Sequence, residues 1–425
     1  MATGRAGTSR GTGTRQAAQR SAADRSREWM RVRMDYVLIL VVAALLILGL
    51  MMVYSSTFDM GYVHYDNPNY FFTRQLMWTI LGLGAMVALA LIDYRVWQRY
   101  AVLILAGTLL LLAIVLVAGS TKFGARRWIS NGSIQPSELA KVAVVIYIAA
   151  WVTSKGKKIR QISYGLIPFA ILIGLVTGLI LLQRDMSTAL LLGVTAWLMF
   201  FIAGADLIQL FAIVVFGLAA FGLLIAREPY RMERVAAFLD PNLDPSGSSF
   251  QVQQALGALA SGGILGKGLG ASSQKFGYVP AVHTDTILAI LGEELGLIGC
   301  LVLIGLFILF AYRGFKIALE ASDGFGTILA SGLTCALALQ ALVNMAVVTA
   351  TVPYAGVPLP FISYGGSSMV TTLASVGLLL SVSRGHRRAA AAGSMRASAG
   401  QGGTGARTDL GRGNWRPRVS SARHR

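Results

Sequence analysis

Ten apolar runs, most of them close to twenty residues long, constrain this chain more than any other feature. They fall at 34–56, 75–93, 99–118, 137–153, 163–182, 186–204, 207–226, 286–312, 325–350 and 366–383. A run of about 20 apolar residues crosses the hydrocarbon core as a helix, because lipid offers no partner for unpaired backbone groups. Across all 425 residues, 55% are hydrophobic and 13% charged, with a mean hydropathy of +0.63. These values exclude a soluble globular domain and predict an all-α polytopic membrane protein of about ten transmembrane helices. The opening residues lack a charged segment, short apolar core and small-residue cleavage site in sequence, so no leader peptide is expected.

Charge then orients the spans. The formal charge is +18, and residues 1–33 contribute a net +6 and residues 384–425 a net +9. Both ends are rich in Gly, Ser, Ala and Thr and lack interleaved aromatics. Residues 1–33 and 386–425 are therefore expected to be disordered basic tails beside anionic lipid heads, with no nucleic-acid role. The membrane domain is expected at 34–385. Arg-rich flanks put both termini in the cytoplasm, which an even number of spans allows. "SKGKKIRQI" (154–162), Arg95, Arg99, Arg313 and Lys316 then lie inside as well. "KFGARRWI" (122–129) lies outside with three cations, an exception that points to anion binding.

One long external loop, about 227–285, precedes the eighth span. Met232, Val235, Phe238 and Leu239 recur at helical spacing and predict a short amphipathic helix on the membrane surface. "SGGILGKGLGASSQKFGYVP" follows and is expected to be flexible; without a strand before it and a helix after it, it is no phosphate loop. "TVPYAGVPLPFISYGGSS" (351–368) carries three prolines near the last span. Irregular backbone at that depth is tolerated where it lines a protein-walled or watered cavity. Cys300 and Cys335 read as buried free thiols, with neither disulfide nor metal spacing.

Ionisable residues within or beside spans are costly and are functional candidates. Glu138 and Lys141 in "QPSELAK" are three apart and share a helix face. They form either a self-neutralising pair or a site with Lys141 at the outer mouth of a cavity. Asp185, in "QRDMSTALLL", either caps the sixth span or takes part in chemistry. Asp285 faces the same choice, because it or Thr284 could cap the eighth span. Yet His283, Thr284 and Asp285 cluster where a loop meets a membrane helix. Glu293 and Glu294 lie two turns deeper and are expected to be network residues partnering a cation such as Lys141 or Arg127. With four histidines in the chain, no His–Glu metal spacing and no Gly-x-Ser-x-Gly elbow, carboxylates and cations remain. Such a set suits transfer at a sugar or phosphate centre.

Five motifs in order, "RRWI" (126–129), "QPSELAK" (135–141), "QRDMSTALLL" (183–192), "HTDTILAILGEELGLIG" (283–299) and "GVPLPFISYGGSS" (356–368), resemble the SEDS family (shape, elongation, division and sporulation) over roughly residues 34–385. The loop 238–280 resembles the division-type, FtsW-like branch, with the RodA-like branch second. This chain has Arg184, Ser187 and Thr286 where the family usually has Pro, Gly and Phe, and it lacks a Glu usual before His283.

The resemblance implies a peptidoglycan glycosyltransferase of the bacterial plasma membrane. It would polymerise lipid II at the outer face, at the division septum, with a class B penicillin-binding protein and divisome proteins. Asp285 matches the family's essential acid, and Glu138 and Lys141 match its fourth-span pair. Asp285 would be the base, with Arg126, Arg127 and Lys141 holding the diphosphate. A divalent cation, Mg or Mn, suits the chemistry, but no ligand set is legible. The rivals are a lipid II flippase, a RodA-like elongation polymerase and a division scaffold.

Overall fold

The computed structural model describes residues 35–122, 125–128, 135–240, 248–274 and 284–401. It is helical almost throughout, and each expected span corresponds to a helix. The first seven are α1 (Tyr36–Tyr65), α2 (Tyr70–Leu91), α3 (Arg95–Ala118), α4 (Pro136–Lys155), α5 (Leu166–Leu182), α6 (Met186–Ile202) and α7 (Leu207–Ala226). Two more helices, α8 (Pro229–Leu239) and α9 (Ser248–Gly262), occupy the long loop. The last three are α10 (Ile287–Leu319), α11 (Gly324–Val348) and α12 (Gly366–Gln401). A small antiparallel hairpin, β1 (Ser120–Lys122) with β2 (Ala125–Trp128), joins α3 to α4. Among the described residues eight helices are long and apolar enough to cross a membrane, while α5 and α6 are apolar but have 17 residues each.

The bundle has a membrane protein's inverted surface. Leu40, Ile80, Leu103, Ile171 and Phe216 project outward from α1, α2, α3, α5 and α7. Glu138, Asp185, Glu293, Gln340 and Asn344 lie inside. Burial is greatest along α4, α11 and α12, and α10 packs on α1, α9 and α11. Helices α2 and α12 pack closely, and a Cβ on Gly377 would strike the carbonyl of Met86 at 2.5 Å.

Polar ties lock each end of the bundle. At one end Arg95 reaches Asp323 at 2.8 Å, where the Tyr94 hydroxyl also donates at 2.7 Å. At that end Asp35 caps α1 and pairs with Arg313, and Arg384 donates to the Leu91 carbonyl. The opposite end carries the hairpin, the α5–α6 turn, α8, α9 and the 351–365 segment.

Helix α10 is not the single rod that the apolar run suggests. It breaks at Gly296 (φ 67°, ψ −166°), and the chain after α9 fills the break. Lys267 N and Gly268 N donate to the carbonyls of Glu293 and Glu294 at 3.0 Å, and Leu297 N donates to Gly263 O at 2.9 Å. The described part of the run expected to be flexible, up to residue 274, is thus a packed strap, because its glycines allow backbone to meet backbone; residues 275–280 lie outside the described residues. A Cβ on Gly266 would sit 2.3 Å from the Glu294 carbonyl. Glu293 also finds a different partner from those expected. Its carboxylate takes Lys267 Nζ at 2.6 Å and the hydroxyl of Ser273 at 3.0 Å, and Ser55 donates to Glu294 at 2.6 Å. Lys141 and Arg127 pair instead with Glu138 and Asp185.

Candidate active site

Asp285 stands two residues before α10. The N-cap of that helix is Thr286, and the Asp285 carboxylate makes no bond to the helix's first amides among the described residues. The capping alternative therefore fails for Asp285. Its backbone is fixed instead by Asn344 Nδ2, which donates to the Asp285 carbonyl at 2.8 Å and to the Val357 carbonyl at 2.7 Å. Just before it, the Thr284 carbonyl accepts from Ser363 Oγ. The carboxylate projects into the space beneath the proline-rich segment. There the Tyr354 hydroxyl donates to Oδ2 at 3.4 Å. Oδ1 has no hydrogen-bond donor among the described residues.

Burial pushes the Asp285 carboxyl up to about 6, against the opposing pull of Arg127, the Tyr354 hydroxyl and Arg234 and with a small push from Asp185. Both arginines come from the end of the bundle that carries the hairpin and α8. Arg127, on β2, stacks on Trp128 at 4.6 Å and lies 3.8 Å from Asp185 Oδ1. Its Nε is buried with no hydrogen-bond partner among the described residues. Arg234, on α8, lies over the Tyr354 ring at 5.2 Å and donates to the Tyr354 carbonyl at 3.2 Å. Asp185 does cap α6, accepting from Thr188 N at 3.2 Å. Its other oxygen accepts from Gln135 Nε2 at 2.9 Å and Ser137 Oγ at 3.3 Å. This buried carboxylate thus closes a helix end and also faces Arg127.

Glu138 and Lys141 form a second cluster. They pair at 2.9 Å, and Lys141 Nζ also donates to Gln340 Oε1 at 2.8 Å. Gln340 Nε2 in turn donates to the Pro358 carbonyl at 2.8 Å. This is the self-neutralising pair, with its ammonium engaged by Glu138 and Gln340. Its link to Asp285 runs through the 351–365 segment. Gln75, Gln340, Asn344 and Ser363 satisfy that segment's irregular backbone groups. The prolines are tolerated here because buried amide and hydroxyl side chains replace the missing ladder. Arg126 contributes its backbone to the hairpin, paired with Thr121. His283 lies outside the described residues.

Sequence reasoning missed Arg234, Tyr354, Gln251, Gln340 and Asn344. Only Arg234, a cation on a helix otherwise defined by its apolar face, gave any local signal. Gly356 is another residue whose role only the structure reveals. A Cβ there would come within 2.9 Å of Asp285 Oδ2. Gly356→Ala should leave the bundle folded, because only a side-chain tip must give way. It should displace the carboxylate and cut turnover by roughly 10- to 100-fold, the range that an ångström of misplacement costs. Unchanged turnover in the alanine variant, at an unchanged melting temperature, would show that the carboxylate's placement does not matter.

The fold and the site define a class: a polytopic helical membrane protein with a half-buried acid facing two arginines. The profile of the FtsW/RodA/SpoVE family, described as cell cycle protein, matches residues 35–388. A probable peptidoglycan glycosyltransferase FtsW from Geobacter metallireducens is 43% identical over 355 residues, 83% of this chain and 95% of that protein. Stage V sporulation protein E of Bacillus subtilis is 38% identical over 354 residues, 82% of this chain and 97% of that protein. The rod shape determining protein RodA of Thermus thermophilus superposes with a TM-score of 0.62 at 29% identity, covering 83% of this chain and 97% of that one. A chain from a peptidoglycan synthase complex, described for its structural coordination of polymerization and crosslinking, gives a TM-score of 0.66 at 31% identity over 83% of this chain and 98% of that one. The chain belongs to the FtsW/RodA/SpoVE family, the SEDS proteins.

Proposed function

We propose that this protein is a peptidoglycan glycosyltransferase that polymerises lipid II at the outer face of the plasma membrane, in septal wall synthesis. Relatives at 38–43% identity that bear the name FtsW support the activity and the division role. The observation that carries the mechanism is Asp285, a carboxylate that caps no helix among the described residues, with one oxygen lacking a donor among them and a pKa raised toward working pH.

In the proposed reaction Asp285 Oδ1 accepts the proton of the acceptor's GlcNAc 4-hydroxyl. That oxygen forms a bond to the anomeric carbon of the donor's MurNAc. The bond from that carbon to the polyprenyl diphosphate breaks on the opposite face, and configuration inverts. One base suffices because the diphosphate leaves without protonation. Arg127 is suited to hold that charge, since its Nε has no protein partner among the described residues and it faces both Asp185 and Asp285. Arg126 precedes it on the same strand.

Purified protein given labelled lipid II, with and without a class B penicillin-binding protein, should yield a glycan ladder on a gel. Movement of lipid II between leaflets without any lengthening would overturn the reading in favour of a flippase. Sidedness has its own test. A reporter active only in the cytoplasm should work when fused after residue 385 and fail near Ser272; the reverse pattern would invert every assignment of inside and outside.

A further inference from the structure

We propose that Tyr354 is a positioning residue for Asp285, a phenol that α8 and α9 hold in place so that Oδ2 is occupied and Oδ1 is left for the acceptor hydroxyl. This rests on Asp285 being the base of the reaction above.

The geometry decides which way the phenol donates. Gln251 Nε2, on α9, donates to the Tyr354 hydroxyl at 2.7 Å. A hydroxyl has one proton to give, and Gln251 occupies an acceptor position. The phenolic proton is therefore free to point at Asp285 Oδ2, 3.4 Å away. From α8, Arg234 fixes the ring itself, with its guanidinium over the face and a bond to the Tyr354 carbonyl. Two helices of the external segment thus converge on one side chain, and that side chain touches the carboxylate. Burial raises the Tyr354 phenol above its ordinary range, with Asp285 reinforcing the shift, so the group stays a donor at working pH. A Cβ at residue 356 would stand 2.9 Å from Oδ2, so Gly356 leaves the carboxylate its room, and Oδ1 has no donor among the described residues.

Tyr354 is neither a base nor an acid in this scheme, and no bond to it forms or breaks. It stabilises the charged carboxylate and sets its rotation. The groups facing Asp285 are Arg127 from β2, Arg234 from α8, Asp185 at the start of α6, and Tyr354 itself. Loss of the phenolic hydroxyl removes one stabiliser of the anion and leaves the others in place. The acid limb of the rate profile should then move to higher pH.

The test is the pH–rate profile of lipid II polymerisation by full-length wild type, Tyr354→Phe, Gln251→Leu and Asp285→Asn, each with its melting curve. Tyr354→Phe keeps the ring beneath Arg234 and should fold. It should lose about 3- to 10-fold in kcat at neutral pH, the worth of one ordinary hydrogen bond, with KM little changed. Its acid limb should be displaced upward from that of wild type. Gln251→Leu should shift the limb the same way by less, and it carries the test if the Phe variant melts early. A purely structural tyrosine would change the melt and the amount of active protein but not the midpoint of the limb. If both variants fold and keep the wild-type midpoint and kcat, the proposal is overturned, while a silent Asp285→Asn would overturn the underlying assignment of the base.

Discussion

Asp285→Asn is expected to lower polymerisation by about 10²–10⁴-fold, the contribution of a positioned general base. Asparagine has nearly the same shape and still accepts from Tyr354, so the side chain's surroundings are preserved. What disappears is the oxygen that can take a proton. The pH profile should carry the same signature. Wild-type rate should fall as pH drops through about 6, where the Asp285 carboxyl protonates. The residual rate of the Asn variant should lack that limb.

Stability should move the other way. The folded-state pKa of Asp285 lies above its ordinary value of 3.8, so the folded protein disfavours the charged form. That penalty is absent below 3.8, where the group is neutral in both states. It grows between 3.8 and about 6 and is complete above about 6. The Asp285 contribution to stability is thus lost as pH rises through about 6, and Asn removes the penalty. At pH 7.5 the variant should melt above wild type by the equivalent of roughly 1–3 kcal/mol, and at pH 4 the gap should close. Activity down and stability up is a pairing that a lost helix cap cannot produce, because losing a cap lowers stability. A well-folded Asp285→Asn protein that polymerises at the wild-type rate would end the catalytic assignment.

How far the sequence reveals this molecule follows from what lipid enforces. Each expected span became a helix because backbone groups in hydrocarbon have no other solution, and apolar composition alone signals that. Helix α9 went unseen because "SSFQVQQALGALASG" mixes amides and glycines with its apolar residues; α10 buries it, and no lipid does. The break at Gly296 was equally hidden. The run 286–312 is continuous in hydropathy, and the break exists only because the strap supplies the missing backbone partners. Glycines in the strap announced conformational freedom, yet the structure uses them for close approach.

For the site the division is similar. Glu138 and Lys141 were legible as a pair because i,i+3 spacing puts them on one face. Asp285 stood out because an acid at the mouth of an apolar helix is costly. Lys267 could not be matched to Glu293, 26 residues away, because loop lysines are commonplace. Tyr354 and Gln251 are ordinary residues in ordinary places. They gain a role only when two loop helices and the proline-rich segment meet above the same carboxylate, and that meeting is tertiary.

Lys141→Met should be the second large effect, and it should be one of folding first. Lys141 is 11% exposed and Glu138 4%, and the two lie 2.9 Å apart. Removing the ammonium leaves a buried carboxylate without its counter-charge, which costs about 3–5 kcal/mol. It also releases Gln340 Oε1, and Gln340 is the residue whose amide holds the Pro358 carbonyl. The 351–365 segment should loosen, and with it the placement of Tyr354 against Asp285. Polymerisation should therefore fall together with the melting temperature. The double variant Glu138→Gln/Lys141→Met separates this account from a direct role on substrate. It removes both charges, so most of the lost stability should return, and the coupling between the two sites should be large. If the pair serves mainly to hold the segment in place, activity should recover alongside stability. If Lys141 instead binds the departing diphosphate, the double variant should melt like wild type and still fail to lengthen glycan. That combination would return the lysine to the reaction itself.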